Sequence, residues 1–482
     1  MASKTTGKIG SNIYFQLLIF MFLALIGWFI PPANGLTSEG IKLLGILFAV
    51  IYGWTATSEP WPSFLAFFLI LLTGLTDIKG LMAVSWGSDM LYFMVLIFVL
   101  IAFLEKTGTS SFVAAWLLSR KFLNGHPWRF LFMLLTVAWV LCTFVEIFPG
   151  VFITWGIAYK VLDVLGYKPY DKFSTITLFG IVAMGALSLS ALPWKGNALV
   201  ILNSISESQG ITIDMLHYLT YSIPFNFLAI TGYLLLCRWV FRLDVSRLKD
   251  LKIDFFSKED LTLTPERKLA LGSVTTLIVF LLIPSIFPDT WKITQFFSSI
   301  GLSAKIILVF VLLSFAKANG EHAFNFAELA VKGVNWNMVI MTTTIMAFVG
   351  LMALPETGIS QFLSTLLTPV FDGISTIWFF VIAVLITVVL TNFTINMVVA
   401  MIMITVTLPV GTNLGIPPEQ IIYLLTICCT IAFCLPSASP SAMLLFANKT
   451  WIKATDAYKY AIPTLIVFSI LAVLTNIIRF MF

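Results

Sequence analysis

Charge is what this sequence has least of. Asp, Glu, Lys and Arg together supply 11% of its 482 residues, whereas a soluble domain typically carries about 25%. Hydrophobic residues supply 59%. A water-soluble fold is excluded, because no core of a chain this long hides that much apolar surface. Cysteine and histidine are scarce as well. Cys142, Cys237, Cys428, Cys429 and Cys434 lie within or at the edges of apolar runs without CxxC spacing, which excludes a disulfide or metal framework. His126, His217 and His322 are expected in loops, which excludes a haem or zinc site at membrane depth. No metal, cofactor or nucleic-acid partner is expected. Alternating ten-residue β patterns are absent, so helices rather than a closed barrel satisfy the backbone.

What is present is a succession of apolar runs of roughly 20 residues, each long enough to cross about 30 Å of hydrocarbon. The start, MASKTTGKIGSN, is polar and basic, and the first run ends at Pro31-Pro32; that run is expected to stay as a transmembrane helix. The expected fold is an all-α polytopic membrane protein with about 11 transmembrane helices and two re-entrant hairpins, at 130–159 and 374–410. With the hairpins returning to their starting side and the N-terminus in the cytoplasm, the basic residues sort by side. Lys4, Lys8, Lys106, Arg120, Arg129, Lys160 and the cluster at 238–268 fall inside, and little beyond Lys42, Lys79, Lys292 and Lys305 falls outside. Letting either hairpin cross twice would place the downstream charges on the wrong side. The expected setting is the inner (plasma) membrane, with lipid as solvent.

The only long polar stretch, 241–268, reads as a cytoplasmic linker between two halves, 1–240 and 269–482. The halves match at a shift of about 250 residues. Val84-Ser-Trp86 corresponds to Val334-Asn-Trp336, and Lys106-Thr-Gly-Thr-Ser-Ser-Phe112 to Glu356-Thr-Gly-Ile-Ser-Gln-Phe362. A hairpin follows in each half, then a span broken at proline: 173–206 at Pro193 and 420–448 at Pro440. The first hairpin enters from inside and the second from outside, so the repeats are inverted. That is the architecture of alternating-access transporters.

Leu187-Ser-Leu-Ser-Ala-Leu-Pro-Trp-Lys-Gly-Asn197 and Cys434-Leu-Pro-Ser-Ala-Ser-Pro-Ser441 interrupt apolar spans with proline and small polar residues. Helices should open there and leave half-helix N-termini. One such segment is as easily a proline kink. Two in corresponding repeat positions, each with a hairpin, point to a site. Only Glu146, at the first hairpin tip, and Lys195, in the first break, are ionisable at depth, and each needs a partner. They either neutralise each other or one acts as an ion at the transport site; both readings stand. No paired carboxylates or Ser/His constellation marks an enzyme, and no ring of like charges marks a channel.

The pattern resembles the divalent anion/sodium symporter family of dicarboxylate, citrate and sulfate carriers over nearly the whole chain. Ala56-Thr-Ser-Glu-Pro-Trp-Pro-Ser63 is similar to that family's TEAIPLP-type segment, and Thr391-Asn-Phe-Thr-Ile-Asn-Met397 to its second-hairpin TEFxSNT motif. Ser188 to Asn197 is similar to the TATLIGTPPN loop, and Leu435 to Ser441 to LPVATPPN, with Ser441 in place of Asn. The resemblance implies an elevator-type homodimer carrying a small polycarboxylate anion. It implies substrate contacts from Ser188, Ser190, Lys195, Gly196 and Asn197 in the first half and from Thr394, Asn396, Ser437, Ser439, Pro440 and Ser441 in the second. Where the family carries Ser-Asn-Thr in each hairpin, this chain reads Glu146-Ile-Phe148 and Ile395-Asn396-Met397. Hard cations want oxygen ligands, so sodium-independent transport, by anion exchange or proton coupling through Glu146, is the leading expectation. Lys195 is placed to supply permanently the positive charge of a bound cation. Sodium-coupled uptake and an inorganic oxyanion such as sulfate are the alternatives on the same fold.

Overall fold

The computed structural model describes residues 13–481, except 33–34, 58, 251–255, 289, 353, 360, 363–364, 366–368, 370–372, 394–395 and 436–437. The chain is almost wholly helical. Helices α1 (Ile13–Ile26), α2 (Ser38–Thr57) and α3 (Trp61–Leu72) lead to a short α4 (Ile78–Val84), which bends by 55° into α5 (Asp89–Lys106), and then to α6 (Thr109–Leu118). The first hairpin is α7 (Pro127–Phe144) and α8 (Ile147–Val164), and the first broken helix is α9 (Lys172–Leu187) and α10 (Gly196–Gln209). After α11 (Met215–Leu235) and α12 (Pro265–Ile286), a short α13 (Lys292–Ser299) turns by 104° into α14 (Gly301–Phe315). Lys317–Ala318 pairs antiparallel with Glu321–His322, the sole strands among the described residues. Helices α15 (Phe326–Gly333) and α16 (Trp336–Met352) precede the second hairpin, α17 (Thr376–Phe393) and α18 (Asn396–Asn413). The second broken helix, α19 (Pro418–Cys428) and α20 (Pro440–Ala447), and the long α21 (Ala454–Met481) complete the fold.

Among the described residues eight helices are long and apolar enough to cross a membrane, or up to eleven if each of three bent pairs is one span. The protein is an all-α, multi-pass membrane protein. Composition shows how the helices sort. Helix α9, KFSTITLFGIVAMGAL, is apolar all round, and every residue from Phe173 to Leu187 is buried; such a helix belongs at a centre. Helix α21 exposes Ile462, Ile466, Ile470, Leu474 and Ile478, one stripe at i+4 spacing. In water that stripe would be a liability; facing lipid it is the expected surface.

Each hairpin arm has 18 residues, about 27 Å of helix. An arm of that length reaches across most of the hydrocarbon, so helix length alone does not make a hairpin re-entrant. The first hairpin packs on α9, and its second arm touches α20; the second hairpin packs on α19, and its second arm touches α10. The broken helices are thus held between the hairpins. The glycines of the matched Thr-Gly pairs, Gly108 and Gly358, both take left-handed backbone, at φ 66° and 64°.

One local expectation is corrected. His217 sits in the first turn of α11 rather than in a loop, because Asp214 caps that helix by accepting from the His217 N–H at 2.6 Å. The segments before α5, α14 and α16 are short helices.

Candidate functional site

The first hairpin breaks between α7 and α8 at Val145 and Glu146, where Glu146 is extended at φ −162°, ψ 161°. Pro149 falls in the first turn of α8, where its missing N–H costs no helix bond. The last carbonyls of α7 have no partner within their own helix. The Lys195 ammonium supplies one: it donates to Thr143 O at 2.7 Å, to Val145 O at 2.7 Å and to Cys142 O at 3.5 Å. A cation at a helix C-terminus also meets the negative end of the macrodipole. Among the described residues no ion pair joins Lys195 to Glu146. The arrangement is an ammonium held on backbone oxygens beside a separate carboxylate.

Lys195 reaches the hairpin from the break between α9 and α10. After Leu187 the chain takes a short 3-10 turn at Ser188–Ser190, and α10 starts at Gly196 with Lys195 extended as its N-cap. Gly196 has φ +62°, and a Cβ there would lie 2.6 Å from the Leu189 carbonyl oxygen. Only glycine fits that closure of the loop. Helix α11 satisfies the unwound carbonyls: the Tyr218 hydroxyl donates to Ser190 O at 2.6 Å and Ser222 Oγ to Ala191 O at 2.8 Å. Ser188 Oγ donates to Gly185 O at 2.7 Å, and Ser190 Oγ meets Leu187 O at 3.3 Å and the Thr430 hydroxyl at 3.0 Å. Both hydroxyls have local partners.

A small cleft opens at this junction. Glu146 and Ile147 line it from the hairpin, Ser188, Lys195 and Gly196 from the broken helix, Phe98 from α5 and Met338 from α16. The N-termini of α8 and α10 both begin on its wall, so it gathers two positive helix ends and one ammonium against one carboxylate. Asn197 does not line it. That amide is 4% exposed, and no hydrogen bond from another described residue reaches it.

In the second half, the Thr391 hydroxyl lies 2.5 Å from Cys429 O and 2.9 Å from Asn396 Oδ1, so its single proton is shared between two acceptors. Thr394 and Ser437 lie outside the described residues. Ser439 caps α20 by accepting from Ala442 N at 3.1 Å, donates to Ala432 O at 2.6 Å, and meets Ser441 Oγ at 3.0 Å. Pro440 opens α20 at its first position. These residues build the break. The residue that sequence reasoning missed is Asn392. Its amide donates to Val388 O and Ile431 O, each at 2.8 Å, and accepts from Phe433 N at 3.1 Å and Cys434 N at 2.9 Å. It clamps the unwound strand of the second broken helix to the second hairpin. The signal was in reach: Asn392 stands beside Thr391 in the motif that carries Asn396.

Residues 46–427 match the family model described as citrate transporter. An uncharacterized transporter of Methanocaldococcus jannaschii is 24% identical over 192 residues, 40% of this chain and 42% of that protein. The match therefore spans less than half of that relative's length. The crystal structure of the Alcanivorax borkumensis YdaH transporter, described as having an unusual topology, aligns with a TM-score of 0.57 at 13% identity, over 83% of this chain and 89% of that one. At that identity the likeness is one of fold. The matched family and the structural neighbour are transporters, not enzymes.

Proposed function

Because this chain belongs to the citrate transporter family, itself a family of secondary transporters, we propose that it carries small di- or tricarboxylate anions across the inner membrane by an elevator-type alternating-access cycle. In this reading the two halves are inverted repeats, 1–240 and 269–482, the linker 241–268 and the N-terminus are cytoplasmic, and the protein works as a homodimer. The hairpins and broken helices form the moving part; α5 and α16 belong to the static wall it slides against.

The observation that carries the reading is the cavity walled by both parts and furnished with Lys195 and two helix N-termini. A polycarboxylate cannot enter hydrocarbon, and such a cavity offers it positive charge and N–H donors without water. Asn197, two residues from Lys195, supports it as a buried amide whose side chain makes no hydrogen bond among the described residues. The Asn396 amide N–H₂ group is its counterpart in the second half.

Transport is sodium-independent in this reading. Three carbonyls that could serve a hard cation at the first hairpin tip already hold the Lys195 ammonium. With those bonds made, Lys195 acts on the anion through its field rather than through a spare N–H. Glu146 stands in the same cavity, without an ion-pair partner among the described residues. A carboxylate substrate and an ionised Glu146 repel, so either Glu146 takes a proton as the anion enters or one anion leaves as another arrives. The test is uptake of radiolabelled citrate and succinate into proteoliposomes, with and without internal anion and across an imposed pH gradient. Uptake of sulfate but of neither carboxylate would overturn the substrate class.

A further inference from the structure

We propose that the tip of the first hairpin is a cation-binding cage whose resident cation is the Lys195 ammonium, and that shortening Lys195 opens the cage to a free monovalent inorganic cation. The proposal rests on the functional reading only in placing this tip at the transport site; the cage itself is argued from geometry.

Three carbonyl oxygens converge on one point, at 2.7 Å, 2.7 Å and 3.5 Å from Nζ. All come from the final turn of α7 and the residue after it, where carbonyls have no intrahelical partner and the helix dipole is negative. Backbone packing fixes their positions, independently of what fills the cage. A Cβ on Gly150 of the facing arm would lie 2.7 Å from the Cys142 N, so the two arms touch backbone to backbone beside the cage. A ring of fixed carbonyl oxygens is the coordination that alkali cations accept in place of water.

A further oxygen is at hand. The Thr143 side chain is 1% exposed, and among the described residues its hydroxyl has no hydrogen-bond partner. A buried hydroxyl without a partner is costly unless something uses it. Access is present too. Lys195 lines that small cleft on one side and a second small cleft, shared with Thr143 and Trp194, on the other. Removing the four-carbon stem joins the cage to both. The backbone of residue 195 is extended, at φ −149°, ψ 156°, which alanine adopts without strain.

The test uses the full-length protein in lipid nanodiscs, without any carboxylate, as wild type, Lys195→Ala and Lys195→Met. Melting midpoints are compared in choline, lithium, sodium and potassium chloride at equal ionic strength. Wild type should melt at one temperature in all four. Lys195→Ala should melt lower in choline and recover toward wild type, saturably, in at least one inorganic salt, since a ligand bound only by the native state raises stability with its concentration. Lys195→Met fills the space without a charge and should stay low in every salt. The proposal is overturned if Lys195→Ala melts alike in all four salts, yields no folded protein in any, or responds no differently from Lys195→Met. The readout involves no transport: a salt response in Lys195→Ala stands even if citrate uptake fails, and normal uptake does not rescue the cage if the response is absent.

Discussion

The Lys195 ammonium meets the Thr143 carbonyl oxygen at 2.7 Å, joining a helix break to a hairpin tip 52 residues earlier in the chain. That bond does two jobs. It satisfies a stranded helix end, and it sets a positive charge where two helix N-termini face a cavity. In the proposed mechanism the hairpin tip therefore takes no dissolved cation. Citrate uptake by wild-type proteoliposomes should be unchanged when sodium is replaced by potassium or choline. A steep, saturable sodium dependence would mean that a cation binds elsewhere in the cycle.

Asn197 and Asn392 are both buried amides, yet their substitutions should behave oppositely. Among the described residues the Asn197 side chain makes no hydrogen bond. Asn197→Ala should leave the melting midpoint near wild type and weaken apparent citrate affinity tenfold or more, since a hydrogen bond to a charged partner contributes about 1.5–3 kcal/mol. Asn392 holds four backbone groups of the second hairpin and the second break. Asn392→Ala strands them, at about 1–3 kcal/mol for each group left buried and unpaired, so folded yield should fall before affinity can be measured. Asn396→Ala lies between the two, because one side of its amide already serves Thr391. Paired thermal melts and binding isotherms on the three variants decide the ranking.

That contrast shows what the sequence could and could not reveal. The breaks at Leu187–Asn197 and Cys434–Ser441 were legible, because proline and glycine clustered inside an apolar run interrupt a helix that lipid would otherwise keep intact. The turn of the first hairpin was legible through its polar patch, with Glu146 and Pro149 inside an apolar run. The short helices α4 and α13 were not, since seven or eight residues carry too little periodicity to separate from a loop. The serines of the breaks looked like ligands because a hydroxyl has the same chemistry whether it meets an anion or a carbonyl three residues back. For Lys195, sequence offered only opposite charge as a partner and so pointed to Glu146. Backbone carbonyls leave no mark in a sequence, and which of them are stranded depends on where a helix stops.

Gly196 gives a prediction that is purely steric. Its φ of +62° already costs a side chain about 1–2 kcal/mol, and the Leu189 carbonyl stands 2.6 Å from where the Cβ would be. Gly196→Ala must push Leu189 away or reopen the start of α10, which displaces Lys195 from the hairpin. The melting midpoint should drop by several degrees and uptake should be lost. Gly210, also left-handed but with open space around its Cβ position, is the control: Gly210→Ala should bear the backbone strain and keep transport.

The sharpest prediction concerns Glu146 and Lys195 together. If they were a neutralising pair, Glu146→Gln with Lys195→Met would restore what either change alone removes, since a buried pair often gives way to neutral groups without loss. Their geometry argues otherwise, because no ion pair joins them and the ammonium is bonded to Cys142 O, Thr143 O and Val145 O. Glu146→Gln alone breaks none of those bonds and should fold close to wild type. Lys195→Met strands the three carbonyls whether or not residue 146 is charged. Most of its destabilisation should therefore persist in the double variant, giving a small coupling term in the double-mutant cycle. The double variant should still insert and fold, because hairpin and broken helix keep their apolar packing, but it should not carry a dianion, having lost the ammonium that lines the cavity. Full recovery of both melting midpoint and citrate uptake in the double variant would make the two charges a structural pair and move the substrate site away from the hairpin tip.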